Sequence, residues 1–263
     1  MRKIQSKILI LSLLCAFFIP SIIYCSSGQK KSVLKNQGIQ HEMRIVDSLN
    51  DLAGKEEVPN IIVSKNYANK ALTIAKSIKY SKGEREALSH VGQYYLSSHF
   101  FSKSLEIFYS TLKLAREAND TKLEIMALTK ISIIFTQLNL SNQARLYFNK
   151  SFNLALTNKD TINIITLLIC KSKILEIEKE WEKSKTALYQ ALWFSNALKD
   201  SKYIAFINKH IGDYYLSLRE LENAKYYYKE AIDIDFKNQN LYNVGSVYSL
   251  LSQISFLENK LTG

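Results

Sequence analysis

The chain is 263 residues long with 47% hydrophobic and 22% charged residues, enough apolar material for a buried core and too much for a disordered chain. Two prolines and eight glycines are too few for the many tight turns of an all-β fold, so helices are expected. The formal charge of +11 does not point to nucleic acid, because 29 of the 35 basic residues are Lys and six are Arg, while Arg is the preferred residue for bidentate phosphate and base contacts.

Residues 1–27 open with the basic stretch MRKIQSK and continue with ILILSLLCAFFI, which is apolar apart from Ser12. Pro20 then breaks the run. This is the pattern of a signal peptide or an N-terminal membrane anchor, and it predicts that the remainder of the chain is exported, periplasmic or anchored facing out of the cytoplasm. Three endings stay open. Cys25 stands where a lipid-modified cysteine would stand, although Tyr24 is bulky for that motif. Cleavage after Ser27 or Gly28 satisfies the small-residue rule, and without cleavage residues 8–25 are just long enough to span a thinned bilayer. Any contact with a membrane is expected through this segment alone.

Residues 28–40 read as a linker. Residues 41–80 read as a divergent first helical hairpin, with helices over 41–53 and 60–79 joined by GKEEVP. The octapeptide HVGQYYLS at 90–97 then returns as HIGDYYLS at 210–217, and the intervening chain shows why. At a step of forty, Gly92, Ser132, Ser172, Gly212 and Ser252 form a column of small residues. Ala71, Thr111, Ser151, Ala191 and Ala231 form a second, and Ser104, Ala144, Ser184 and Ala224 a third. Large residues recur at Tyr95, Phe135, Leu175 and Tyr215, and at Phe108, Phe148, Leu188 and Tyr228. Asp120, Asp160, Asp200 and Asn240 precede apolar-periodic runs and read as helix N-caps. The step predicts four repeats over 81–240, each a hairpin of two helices that can bury its apolar face only by stacking on its neighbours. Residues 241–263 read as a final helix: either the cap such an array needs, or the place where longer chains continue.

Small, aromatic, small, large and small residues at these offsets resemble the tetratricopeptide (TPR) repeat, with Gly212, Tyr215, Ala224, Tyr228 and Ala231 the best match. The period of forty exceeds the family's usual period of about 34, as in TPR-like arrays of bacterial exported and signalling proteins, and the terminal Pro is missing. The resemblance implies an all-α fold, a right-handed α-solenoid of about five stacked antiparallel hairpins. It also implies a protein or peptide partner held on the concave face by the first helix of each hairpin. Carried onto this chain, the groove positions are Glu86, Ser89 and Gln93; Met126, Thr129 and Ile133; Thr166, Ile169 and Lys173; and Phe206, Lys209 and Asp213. The Lys/Asn pair by which some TPR proteins clamp a carboxylate is not reproduced, since Ser89 and Gln93 stand in its place.

Nothing in the sequence suggests catalysis. No P-loop, G-x-G-x-x-G, G-x-S-x-G or H-E-x-x-H occurs. His90 and His210 share a repeat position but lie three repeats apart, too far to share a metal. Cys170, flanked by LLI, reads as a buried hydrophobe rather than a reactive thiol. The expectation is therefore a non-enzymatic binding scaffold without cofactor or metal; the alternative is the extracytoplasmic sensor portion of a longer membrane-spanning regulator. The oligomeric state is not legible.

Overall fold

The computed structural model describes residues 36–55 and 61–262. Among the described residues there are eleven helices and no strands. They are α1 (36–55), α2 (Ile61–Ser77), α3 (Ser81–Ser97), α4 (Phe101–Glu117), α5 (Thr121–Gln137), α6 (Ser141–Thr157), α7 (Thr161–Ile177), α8 (Trp181–Leu198), α9 (Ser201–Ser217), α10 (Leu221–Lys237) and α11 (Leu241–Thr262). From α3 onward a helix begins every twenty residues, so each forty-residue repeat holds one first helix (α3, α5, α7, α9) and one second helix (α4, α6, α8, α10). Each helix packs on the next in the chain, and α5 also packs directly on α7. The result is an α-solenoid. The leader at 1–27 and Cys25 lie outside the described residues. Helix α1 starts at residue 36, inside the stretch the sequence suggested as linker.

The turns explain this regularity. Each of α2 to α10 is followed by a residue in the left-handed region, from Lys79 at φ 56° to Gln239 at φ 60°, one every twenty residues, and among the described residues no glycine has positive φ. At the end of α4, Asn119 N–H donates to Arg116 O (3.1 Å) and Asp120 N–H to Ala115 O (2.9 Å). Those are the two bonds of a Schellman turn. Asp120 then accepts from Leu123 N–H at 3.1 Å and caps α5, and Asp160 caps α7 through Asn163 N–H at 3.1 Å. Asp200 caps α9 through Lys202 N–H at 3.0 Å. Asn240 accepts from Asn243 N–H at 3.4 Å at the start of α11, so these four carboxylate or carboxamide caps fall between repeats, while the turns inside repeats start on Phe100, Leu140, Glu180 and Glu220 without a side-chain cap.

Within a hairpin, the small columns meet. Ser104 Oγ donates to Gly92 O at 3.0 Å, Ser132 Oγ to Ala144 O at 2.9 Å, and Ser172 and Ser184 hydroxyls lie 3.0 Å apart. The Ala71, Thr111, Ser151, Ala191 and Ala231 column is completely buried. Phe108 and Tyr228 fill the space beside the close approach: a Cβ on Gly92 would come within 2.9 Å of Phe108, and one on Gly212 within 2.5 Å of Tyr228. In the first hairpin the phase slips by one residue. Ser64 donates to Ala53 O at 2.8 Å, whereas the forty-residue step points to position 52, and Leu52 is exposed.

The last helix departs from the pattern. Position 252, equivalent to Gly92, Ser132, Ser172 and Gly212, is exposed, as are Tyr248 and Phe256, whose counterparts Leu88 and Leu96 are buried. Helix α11 buries Val244, Val247 and Ile254 against the array, and the face that its predecessors turn to a second helix is uncovered among the described residues.

Gly212→Ala should destabilise the protein by about 1–3 kcal/mol through overpacking against Tyr228. Gly245→Ala, in α11 with nothing within 4 Å of the added carbon, should stabilise it by up to about 1 kcal/mol through helix propensity. Urea denaturation of the two variants checks the contrast; equal effects would show that helix propensity, not the close approach, governs both sites.

Candidate functional site

Each first helix turns one stripe toward the inside of the solenoid. In α7 that stripe is Thr166, Cys170, Lys173 and Ile177, spaced i, i+4, i+7 and i+11 as one helical face requires. Ile133 and Gln137 continue it on α5, and Phe206 and His210 on α9. Together with Thr136, Asn139, Ile169 and Glu176 they line a pocket of about 570 Å³. Its apolar wall is Ile133, Ile169, Ile177 and Phe206, and its rim is polar.

The charges around this pocket are internally paired. Lys173 Nζ lies 2.9 Å from Glu176 Oε2. On α9, Asp213 gathers three partners: it accepts from Lys209 Nζ at 3.0 Å and from Tyr228 OH at 2.8 Å, and its Oδ2 lies 3.4 Å from His210 Nδ1. Burial alone would push Asp213 up, but the bonds and charges of His210 and Lys209 outweigh it and hold the carboxyl well below the usual range. His210 stands edge-on to Phe206 with ring centroids 4.6 Å apart, and burial lowers its pKa despite the neighbouring carboxylate. The Cys170 thiol is 3.3 Å from both Ser132 Oγ and Thr136 Oγ1. Burial raises its pKa, which keeps it a thiol rather than a nucleophilic thiolate.

A second pocket, of about 380 Å³, joins the two ends of the array. His90, Gln93, Tyr94 and Ser97 of α3 line it with Ala53, Gly54, Ile61 and Ser64 of the first hairpin, and Asn240, Tyr242 and Asn243 at the start of α11 complete it. The solenoid curves enough to bring residues some 150 positions apart in sequence to one cavity. His90 and His210 accordingly line different pockets. Among the described residues no three His, Cys, Asp or Glu side chains are grouped to hold a metal, and no helix is long and apolar enough to cross a membrane.

Of the groove positions suggested by the sequence, Ile133, Thr166, Ile169, Lys173 and Phe206 line the larger pocket, and Gln93 lines the smaller. Thr129 does not face the groove. It is 1% exposed, donates to Ile125 O at 2.8 Å and touches Ser151 Oγ at 2.7 Å, because its helix position faces α6. Ser89 bonds back to Glu86 O at 2.7 Å, and Glu86, Ser89 and Met126 lie outside both pockets. Lys209 and Asp213 form an ion pair beside His210 rather than part of the lining. Sequence reasoning missed Thr136, Gln137, Cys170, Glu176, Ile177 and His210. The i, i+4, i+7, i+11 stripe through Thr166 and Lys173 would have found Cys170 and Ile177.

Below about pH 6.5 the unfolded histidines take up protons that burial makes His90 and His210 resist. Stability should therefore fall as pH drops from 7 to 5, by up to about 1.4 kcal/mol per pH unit per histidine. Asp213, with its depressed pKa, adds stability that is lost only at more acidic pH, as it too becomes protonated. Urea titrations at several pH values check this, and His210→Phe should flatten the first part of the curve.

No family model matches the sequence, and no curated protein matches it. Solved structures do. An aspartyl phosphate phosphatase F from Bacillus subtilis superposes with a TM-score of 0.57 at 12% identity, covering 82% of this chain and 60% of that one. A Rap protein complexed with competence and sporulation factor gives 0.54 at 13% identity, covering 85% and 66%. A signal-transduction ATPase with a tetratricopeptide repeat sensor from Pyrococcus horikoshii gives 0.57 at 13% identity, covering 82% and 37%. The chain thus spans less than two thirds of each of these three proteins. Helix order, turn register and small-residue seams agree with them in one conclusion: this chain has the fold of the TPR-like helical-repeat proteins.

Proposed function

We propose that the protein is an exported scaffold or adaptor that binds a protein or peptide in the groove formed by α3, α5, α7 and α9. The observation that carries this is the pocket bounded by Ile133, Ile169, Ile177 and Phe206. An apolar cavity with a polar rim, built from side chains of three successive repeats, suits one anchoring side chain of a longer ligand. The solved complex of a Rap protein with competence and sporulation factor supports a binding role for this fold. One similar structure is named a phosphatase; here the pocket thiol is held protonated by burial and the rim acid Glu176 is taken up in an ion pair with Lys173, which favours binding over chemistry. Export rests on the basic and apolar residues of 1–27.

A second reading is favoured by the uncovered face of α11, with Tyr248 56% and Phe256 70% exposed. On that reading the chain is the sensor portion of a longer regulator and a further helix covers this face. The reading frame after Gly263 tests it: a continuation into a hydrophobic span would support it, and a stop codon would rule it out.

Panning a random peptide library on the full-length chain tests the groove. Selected peptides should lose binding to Phe206→Glu by about tenfold or more, the scale of a lost anchor contact. They should bind Trp193→Glu normally, since Trp193 is an exposed residue of a second helix. Equal loss in both variants, or none in either, would place the binding surface elsewhere. Fractionation of the natural host, with protease added to intact cells, tests export; protection of the chain would overturn it.

A further inference from the structure

Repeat three breaks the repeat pattern at three positions, and all three line one cavity. Where the other repeats bury Val91, Ile131 and Ile211, repeat three carries Lys171, half-buried on α7. In repeats two and four a pair of rings stacks between the two helices of the hairpin, Phe135 on Tyr147 and Tyr215 on Tyr227, each with centroids 5.6 Å apart. The corresponding residues of repeat three are Leu175 and Ala187. The loss of two rings leaves space, and Lys171, Leu175 and Ala187 line a pocket of about 290 Å³ there. It shares no residue with the two pockets described above.

The rest of this pocket is polar. Arg145 of α6 and Lys183, Thr186 and Gln190 of α8 contribute to its wall, and Glu180 is the one acid in the lining. Glu180 is taken up by Lys183, and Arg145 donates to Glu178 through Nη2 alone. The other N–H groups of Arg145 therefore face no protein acceptor among the described residues. Nor does the ammonium of Lys171 have a hydrogen bond, ion pair or ring contact among them. A lysine in place of a buried isoleucine loses packing, and without a partner for its charge it gains nothing within the fold.

We propose that this pocket binds a phosphate group, held by the ammonium groups of Lys171 and Lys183 and the unengaged N–H groups of Arg145, with the Thr186 hydroxyl and the Gln190 amide donating to the remaining oxygens. A phosphate fits better than a carboxylate, because donors from three successive helices surround a tetrahedral anion more completely than a planar one. Its charge of about −2 near neutral pH also matches three cations against one acid. The phosphate is either the free ion or the head of a small phosphomonoester. The site lies apart from the peptide groove and stands whether or not that groove binds a peptide.

Calorimetric titration of the full-length chain with inorganic phosphate and with glycerol 3-phosphate, at constant ionic strength, tests the assignment. Saturable one-to-one binding of at least one probe is expected. Tighter binding of glycerol 3-phosphate assigns a phosphomonoester; equal or weaker binding assigns the free ion. Lys171→Ile, which installs the residue found in repeats two and four, should weaken binding about tenfold or more, the scale of a lost charge-assisted hydrogen bond. Ala187→Tyr should do the same by filling the cavity. Lys113→Gln, on the exposed surface of α4, should bind as the wild type does. Saturating phosphate should raise the thermal midpoint of the wild type and leave that of Lys171→Ile unchanged. Absence of saturable binding to the wild type, undiminished binding to Lys171→Ile, or an equal loss in Lys113→Gln overturns the proposal.

Discussion

The rest of the structure depends on one close approach: two helices of a hairpin touching through small residues, with a ring lying beside the contact. At Gly212 there is no room for a single methyl group against Tyr228, and Ser104 and Ser132 sit so near the opposite backbone that their hydroxyls bond its carbonyls. That spacing sets where Phe108 and Tyr228 must go. It also sets the face each first helix has left over. A hairpin closed this tightly cannot use its small column for binding, so the opposite stripe becomes the inner wall of the solenoid.

The turns impose the second constraint. Schellman closure followed at once by the next helix leaves three residues between most helices and makes the twenty-residue rhythm inflexible. A left-handed residue is required each time, and Lys, His, Asn, Arg or Gln fills it without a single glycine. This is why the helix ends were hard to read from sequence. Glycine is the usual signal for such a position, and it stands at none of these nine turns. The starts were plainer, because Asp120, Asp160 and Asp200 announce themselves as caps. The hairpins and their register were therefore legible from residue 81 onward. The two helices of the first hairpin were legible as well, read at 41–53 and 60–79 and found at 36–55 and Ile61–Ser77, but their register was not, because the one-residue slip that pairs Ser64 with Ala53 leaves no mark in a forty-residue alignment.

The candidate site was half legible, for a geometric reason. Periodicity says which residues share a face, but curvature decides which faces meet. Carrying the groove positions over from the TPR resemblance put Thr129 in the groove, although that side of α5 packs on Ser151 of α6. It also left out Cys170 and His210, which were considered only as a hydrophobe and as a ligand candidate. The cavity shared by Gln93 and Asn243 could not be foreseen at all, since nothing local in either segment encodes how far the array bends before its ends approach.

Comparing repeats with one another within this chain separates fold from recognition. At the column from Ala71 to Ala231 every residue is small and fully buried, because the same contact recurs at each step. At the column running His90, Lys130, Cys170, His210 no two neighbouring repeats agree, yet three of the four residues line pockets. Packing that repeats demands residues that repeat; a ligand crossing the groove meets each repeat once and makes no such demand. Residue identity at that column is thus free of the packing demand that fixes the small columns, and the ammonium of Lys130 and the thiol of Cys170 each belong to a single repeat.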